Sequence, residues 1–137
     1  MKNESILFKP CVPGTTGHGG SLKGEIRASY AELVEMFGEP AFEGIGDKIT
    51  TEFVIDYEYH DGITDDTEYG GFTLYDWNFA RNLNDDTEEI TWNVGGRTFM
   101  DGVAAGMAID IFNNTDVTVV SEISQSVLTS SLTFFNI

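Results

Sequence analysis

The sequence predicts an α+β fold: an antiparallel β-meander sheet with two helices packed on one face. Three observations predict it. A capped helical pattern runs from Ser29 to Gly38, period-two stretches follow between Phe53 and Val94, and apolar residues then recur every fourth position from Phe99 to Ile111. Consecutive strands with the helices set apart are the pattern of an antiparallel sheet covered by helices rather than of alternating βαβ units.

The elements follow in order. Residues 1–21 read as a flexible Gly/Pro-rich arm, with Pro10, Pro13, Gly14, Gly17, Gly19 and Gly20 supplying loop chemistry, and a single α+β domain occupies 22–137. Within the arm, Ile6, Leu7 and Phe8 suit a short edge strand. Leu22 to Ala28 alternates apolar and polar, the pattern of a half-buried strand. Ser29 and Glu32 have capping-box spacing, in which each side chain satisfies a free backbone donor. Tyr30, Leu33, Val34 and Phe37 recur at helical spacing and belong to the core face; Gly38 and Pro40 end the helix.

Phe53, Ile55, Tyr57 and Tyr59 alternate with Val54, Asp56, Glu58 and His60, a strand with one apolar and one acidic face. Asp61-Gly62 is a turn signal. Phe72, Leu74 and Asp76 share one face of the next strand, opposite Thr73, Tyr75 and Trp77. Ile90 to Val94 forms another strand, closed by Gly95-Gly96. A second helix spans about Thr98 to Phe112, with Phe99, Val103, Met107 and Ile111 repeating at a spacing of four, Ala104, Ala105 and Ala108 filling between them, and small Gly102 and Gly106 allowing a close approach. Beyond it, Val117 to Val120 and Leu128 to Phe135 are strand candidates.

Charge narrows the function. Twenty-three Asp and Glu face seven Lys and Arg, a formal net charge of -16. Twelve of the carboxylates lie between Ile49 and Gly96, where Arg81 is the only fixed base. At 41% hydrophobic and 12% aromatic, the chain is too apolar for an acidic disordered tail, so the acidity sits on a folded surface. That surface disfavours direct binding to nucleic acid or to acidic membranes. No apolar run approaches the roughly 18 residues of a membrane span. MKNESILFKPC lacks the apolar core of a signal peptide, and Cys11 is the only cysteine. Together these point to a reducing compartment, the host cytoplasm in the reading below.

Tyr30-Ala31-Glu32-Leu33-Val34-Glu35-Met36-Phe37-Gly38-Glu39-Pro40, then Gly46-Asp47-Lys48, Leu74-Tyr75-Asp76-Trp77 and Trp92-Asn93-Val94-Gly95-Gly96 form a succession of motifs. It resembles that of a family of small, mostly uncharacterised proteins of bacteriophages and large DNA viruses. The likeness covers roughly Gly24 to Ile111. Asn78 stands where that family commonly has Lys, and Asn93 where it commonly has His. The resemblance implies a viral origin and an accessory role, and no particular chemistry.

No enzymatic constellation stands out. Gly14 to Ser21, GTTGHGGS, has the outline of a phosphate loop, but Gly20 replaces the lysine and a strand follows where a helix belongs. Asn82, Asn84 and Asp86 have EF-hand spacing, yet Thr87 replaces the required Gly and Asn93 the closing Glu. His18 and His60, with one Cys, make no zinc site, and His60 reads as a solvated strand-end residue. Carboxylates are too numerous for any pair to be marked as catalytic. No metal, no cofactor and no enzymatic activity are expected. Tyr75, Trp77 and Trp92 read as an aromatic group on adjacent strands, either core packing or a contact surface.

The expected function is therefore that of a virus-encoded acidic inhibitor. It binds a basic nucleic-acid-binding protein of host antiviral defence by mimicking nucleic-acid charge. The residues that carry it are Asp56, Glu58, Asp61, Asp65, Asp66, Glu68, Asp85, Asp86, Glu88 and Glu89, with Tyr75 and Trp77 beside them. One alternative is a small-molecule binder that sequesters a nucleotide signal, with Arg27, Arg81 or Arg97 against phosphate. Another is a virion or assembly component, in which the arm and tail join subunits of a homo-oligomer.

Overall fold

Ser29 shows how directly the chain encodes its first helix. Its Oγ accepts the Glu32 N–H (3.1 Å), and its own N–H donates to Glu32 Oε1 (2.8 Å). The reciprocal cap opens α1 (Tyr30–Phe37), and Gly38 closes it at φ 79°, its N–H donating to the Val34 carbonyl. The computed structural model describes residues 4–12, 14, 20–44, 48–64, 66–78 and 80–114. The strand candidates after Asn114 lie outside the described residues, as do 13 and 15–19 of the proposed arm.

The strands are β1 (Ser5–Pro10), β2 (Ser21–Ser29), β3 (Phe42–Glu43), β4 (Thr51–His60), β5 (Thr67–Tyr75) and β6 (Glu89–Gly96), and α2 (Phe99–Asn114) follows them. They form one six-stranded sheet in the order β1-β4-β5-β6-β2, and β3 pairs with the start of β4. Every pairing is antiparallel, and β4-β5-β6 is the expected meander. The fold is α+β with the helices on one face of the sheet.

Register decides which side chains meet the helices. Phe53 lies opposite Leu74 and Ile55 opposite Phe72, while Ile26 lies opposite Trp92. All of these are buried, and each contributes on the order of 2 kcal/mol by leaving water. The suggested edge strand near Ile6 is β1, which places Ile6 and Phe8 in the core. Phe8, Phe37 and Phe72 meet edge to face with centroids 6.2 to 6.4 Å apart, tying β1, α1 and β5 together.

Helix α2 does not present its fourth-residue apolar repeat to the sheet as one stripe. Phe99 is 85% exposed and Val103 37%, Met107 is half-buried, and Ile111 is 4% exposed. A spacing of four overshoots the 3.6-residue turn by about 40° per step, so this stripe spirals around the helix instead of facing the sheet throughout. Ala104, Ala105 and Ala108 line the buried side and let α2 lie close to the sheet. Gly102 is pressed against Lys23 of β2, as the close-approach reading expected, whereas Gly106 faces open space.

Candidate functional site

The acidic residues occupy three places. On β4, Asp56 and Glu58 point away from the helices, opposite Lys9 and Leu7 of β1 on one side and Gly71 and Tyr69 of β5 on the other. Both are half-buried. Glu58 pairs with the Lys9 ammonium, and Asp56 accepts the Cys11 thiol (3.7 Å). Burial, then the Asp56 charge, pushes that thiol up. The same face is not uniformly acidic: Val54 and Thr73, opposite each other on it, are buried. Burial also pushes the Glu52 carboxyl up from its ordinary value.

The second place is the β4–β5 turn. Asp61 Oδ1 accepts the N–H groups of Ile63 (2.8 Å) and Thr64 (3.0 Å), and the Thr64 and Ile63 bonds hold its carboxyl below the usual range. Asp61 therefore shapes the turn as well as charging it. Asp66 and Glu68 are exposed, and Asp65 lies outside the described residues. His60 is half-buried, with Nδ1 accepting the Gly62 N–H (3.2 Å), which corrects its reading as a solvated residue.

The third place is the β5–β6 connection, at the other end of the sheet. Ten residues of β4 put it roughly 30 Å from the β4–β5 turn. Here residues 82–89 are all exposed. Asp85 folds onto Thr87 by two hydrogen bonds (2.7 and 3.0 Å), the hydroxyl first, which hold its carboxyl low. Glu89 meets Arg27 at 3.4 Å across an open surface, an interaction worth little. Asp86 differs from its neighbours: its Oδ1 accepts from Arg81 Nη2 (2.9 Å), and its carbonyl accepts the Ala31 N–H (2.9 Å).

Trp77, 47% exposed, stands at the start of this connection with its ring edge-on to Tyr75 (6.3 Å). Trp92 is not part of that group. It lies on the opposite, buried face, edge-on to Phe53, with Nε1 donating to the Ala28 carbonyl (2.9 Å). Side-chain alternation separates Trp92 from Tyr75, whose partner across the ladder is Asn93.

Beneath the acidic connection lies a polar corner that sequence reasoning passed over. Asp76, fully buried, accepts the N–H groups of Thr50 (2.8 Å) and Thr51 (2.9 Å), the Thr50 hydroxyl (2.7 Å) and the Arg81 N–H (3.4 Å). Arg81, 6% exposed, donates from Nη1 to Glu43 Oε2 (2.9 Å) and to Thr51 Oγ1 (2.6 Å). Its Cζ sits 3.5 Å from the centroid of the Tyr30 ring. The available signal was Arg81 as the lone base of a long acidic stretch, and Asp76 at the apolar parity of Phe72 and Leu74. Arg81 is consumed here and is not free to meet a ligand phosphate.

Among the described residues no helix is long and apolar enough to cross a membrane, and no three His, Cys, Asp or Glu side chains are grouped to hold a metal ion. No family model, curated protein or solved structure matches this chain.

Proposed function

We propose that this protein is a virus-encoded inhibitor that works by binding, not catalysis, in the host cytoplasm. Its target is a basic nucleic-acid-binding protein of host defence, and its carboxylates occupy the path that the nucleic-acid phosphates would take. One observation supports this reading most. Arg81, the only base of the stretch that carries twelve carboxylates, is turned inward, while Asp66 and Glu68 at one end of the sheet and Asp85 and Glu88 at the other stand exposed. Outward negative charge thus stands at both ends of the sheet, roughly 30 Å apart. Trp77 and Tyr75 add an aromatic anchor beside one end.

The test is capture from host lysate at low and high salt, repeated with Asp66→Lys/Glu68→Lys and Asp85→Lys/Glu88→Lys variants. The expected result is one nucleic-acid-binding protein, released by added DNA, whose association slows about tenfold in either variant at low salt. Capture that ignores salt, DNA and both charge reversals overturns the reading.

A further inference from the structure

The acidic β5–β6 connection is tied to the body of the protein through Asp86. Its side chain reaches Arg81, and its carbonyl takes the Ala31 N–H at the start of α1. Before Glu89, which pairs with Ser29 of β2 and meets Arg27, internal bonds shape the loop: Asn84 N–H to Asn82 Oδ1 (2.9 Å), Asp85 N–H to the Asn82 carbonyl (3.0 Å), and the Thr87 bonds to Asp85. Such bonds give the loop a shape but no fixed position.

Arg81 supplies the position. Its guanidinium is held by Glu43 of β3, Thr51 of β4 and the ring of Tyr30 in α1, three separate elements, before it reaches Asp86. Asp76 fixes its backbone from below. A planar fork that bonds two carboxylates and stacks on an aromatic face is a task lysine cannot reproduce.

We propose that Arg81 is the positioning residue of the acidic loop. It holds 82–89 against the β3–β4–α1 corner, draws Asp86 into the fold, and leaves Asp85 and Glu88 as the charges that a basic partner meets. This rests on the reading of the loop as a contact surface. Ordering the loop in advance removes an entropic penalty that a partner would otherwise have to overcome on binding.

The experiment compares Arg81→Met, Arg81→Lys, Asp86→Asn and Glu88→Gln. It reads amide exchange at Ala31 and across 82–89, the urea midpoint, and binding to a deca-arginine peptide at low salt. Arg81→Met takes the net charge one unit further negative than -16, so charge alone predicts tighter binding to the cationic peptide. Positioning predicts the reverse: exchange at Ala31 faster by about tenfold and binding weaker, with Arg81→Lys in between. Asp86→Asn, which takes the charge out of the same tie from the exposed side and spares the buried corner, is expected to speed exchange where Glu88→Gln, an equal change of charge, does not. It keeps the proposal testable if Arg81→Met fails to fold. Faster exchange with tighter binding, or unchanged exchange in both Arg81→Met and Asp86→Asn, overturns the proposal. If the wild type shows no salt-sensitive binding to the peptide, the contact-surface reading falls, and exchange at Ala31 still decides whether Arg81 positions the loop.

Discussion

Asp101 shows how one side chain can determine the identity of several others. Its Oδ1 accepts the Tyr57 hydroxyl (2.7 Å), and its Oδ2 accepts the N–H groups of Arg97 (2.7 Å) and Thr98 (3.0 Å), while Thr98 Oγ1 takes the Asp101 N–H in return. This is a second reciprocal cap, at the start of α2. The Tyr57–Asp101 pair is also why two strand positions are glycine: a Cβ at Gly96 would lie 2.6 Å from Asp101 Cβ, and one at Gly70 would meet the Tyr57 hydroxyl and ring first and then Asp101 Oδ1 at 2.7 Å. Burial pushes the Asp101 carboxyl up, but the bonds from Tyr57, Arg97 and Thr98 outweigh it and hold the group below its ordinary 3.8. A carboxyl depressed on folding stabilises above its unfolded value and loses that contribution as pH falls through the folded one. Asp101→Asn is therefore expected to lower stability by about 2 kcal/mol at neutral pH. The gap to wild type should close as pH drops below 3.8, measured as paired urea midpoints. A gap independent of pH would mean that shape, not charge, is what Asp101 supplies.

At the scale of elements, local signals survived and non-local ones did not. The cap at Ser29 and the alternation of Phe53 to Tyr57 depend on residues within one turn or one strand, so they were legible. The placement of β1 was only half legible, because Ile6 and Phe8 gain their burial from β4, α1 and β5, far along the chain. Most of the candidate acidic residues were correctly read as surface, yet Asp86 and Asp76 belong to a corner assembled from β3, β4 and α1. No spacing rule reveals such a corner. In helix α2 the apolar repeat alone does not mark the buried face: the cap at Asp101 and the small side chains at Ala104, Ala105 and Ala108 set its rotation. Phe99→Ala is accordingly expected to change stability by less than about 0.5 kcal/mol, as for an exposed residue. Ala105→Leu should cost about 1–3 kcal/mol by overpacking. Reversed magnitudes in urea unfolding would mean that Phe99, not Ala105, faces the sheet.

For the whole molecule the governing quantity is the net charge of -16. Like charges in the two acidic ends repel within each end and across the sheet, over roughly 30 Å. The screening length is about 30 Å at 0.01 M salt, about 8 Å at 0.15 M and about 3 Å at 1 M. Repulsion between the ends should thus vanish by physiological salt, leaving only repulsion inside each loop to be screened at higher concentrations. The melting temperature is expected to rise steeply from about 0.01 to 0.15 M NaCl and slowly thereafter. Each kcal/mol relieved corresponds to roughly 4 °C for a domain of this size. Binding to a basic partner should fall over the same interval, because the same ions compete with it. Opposite responses of stability and binding to one salt series are what a charge mimic requires. A surface whose acidity serves solubility alone would give the rise in melting temperature without the loss of binding, and a flat melting temperature would show that the carboxylates barely repel one another in the fold.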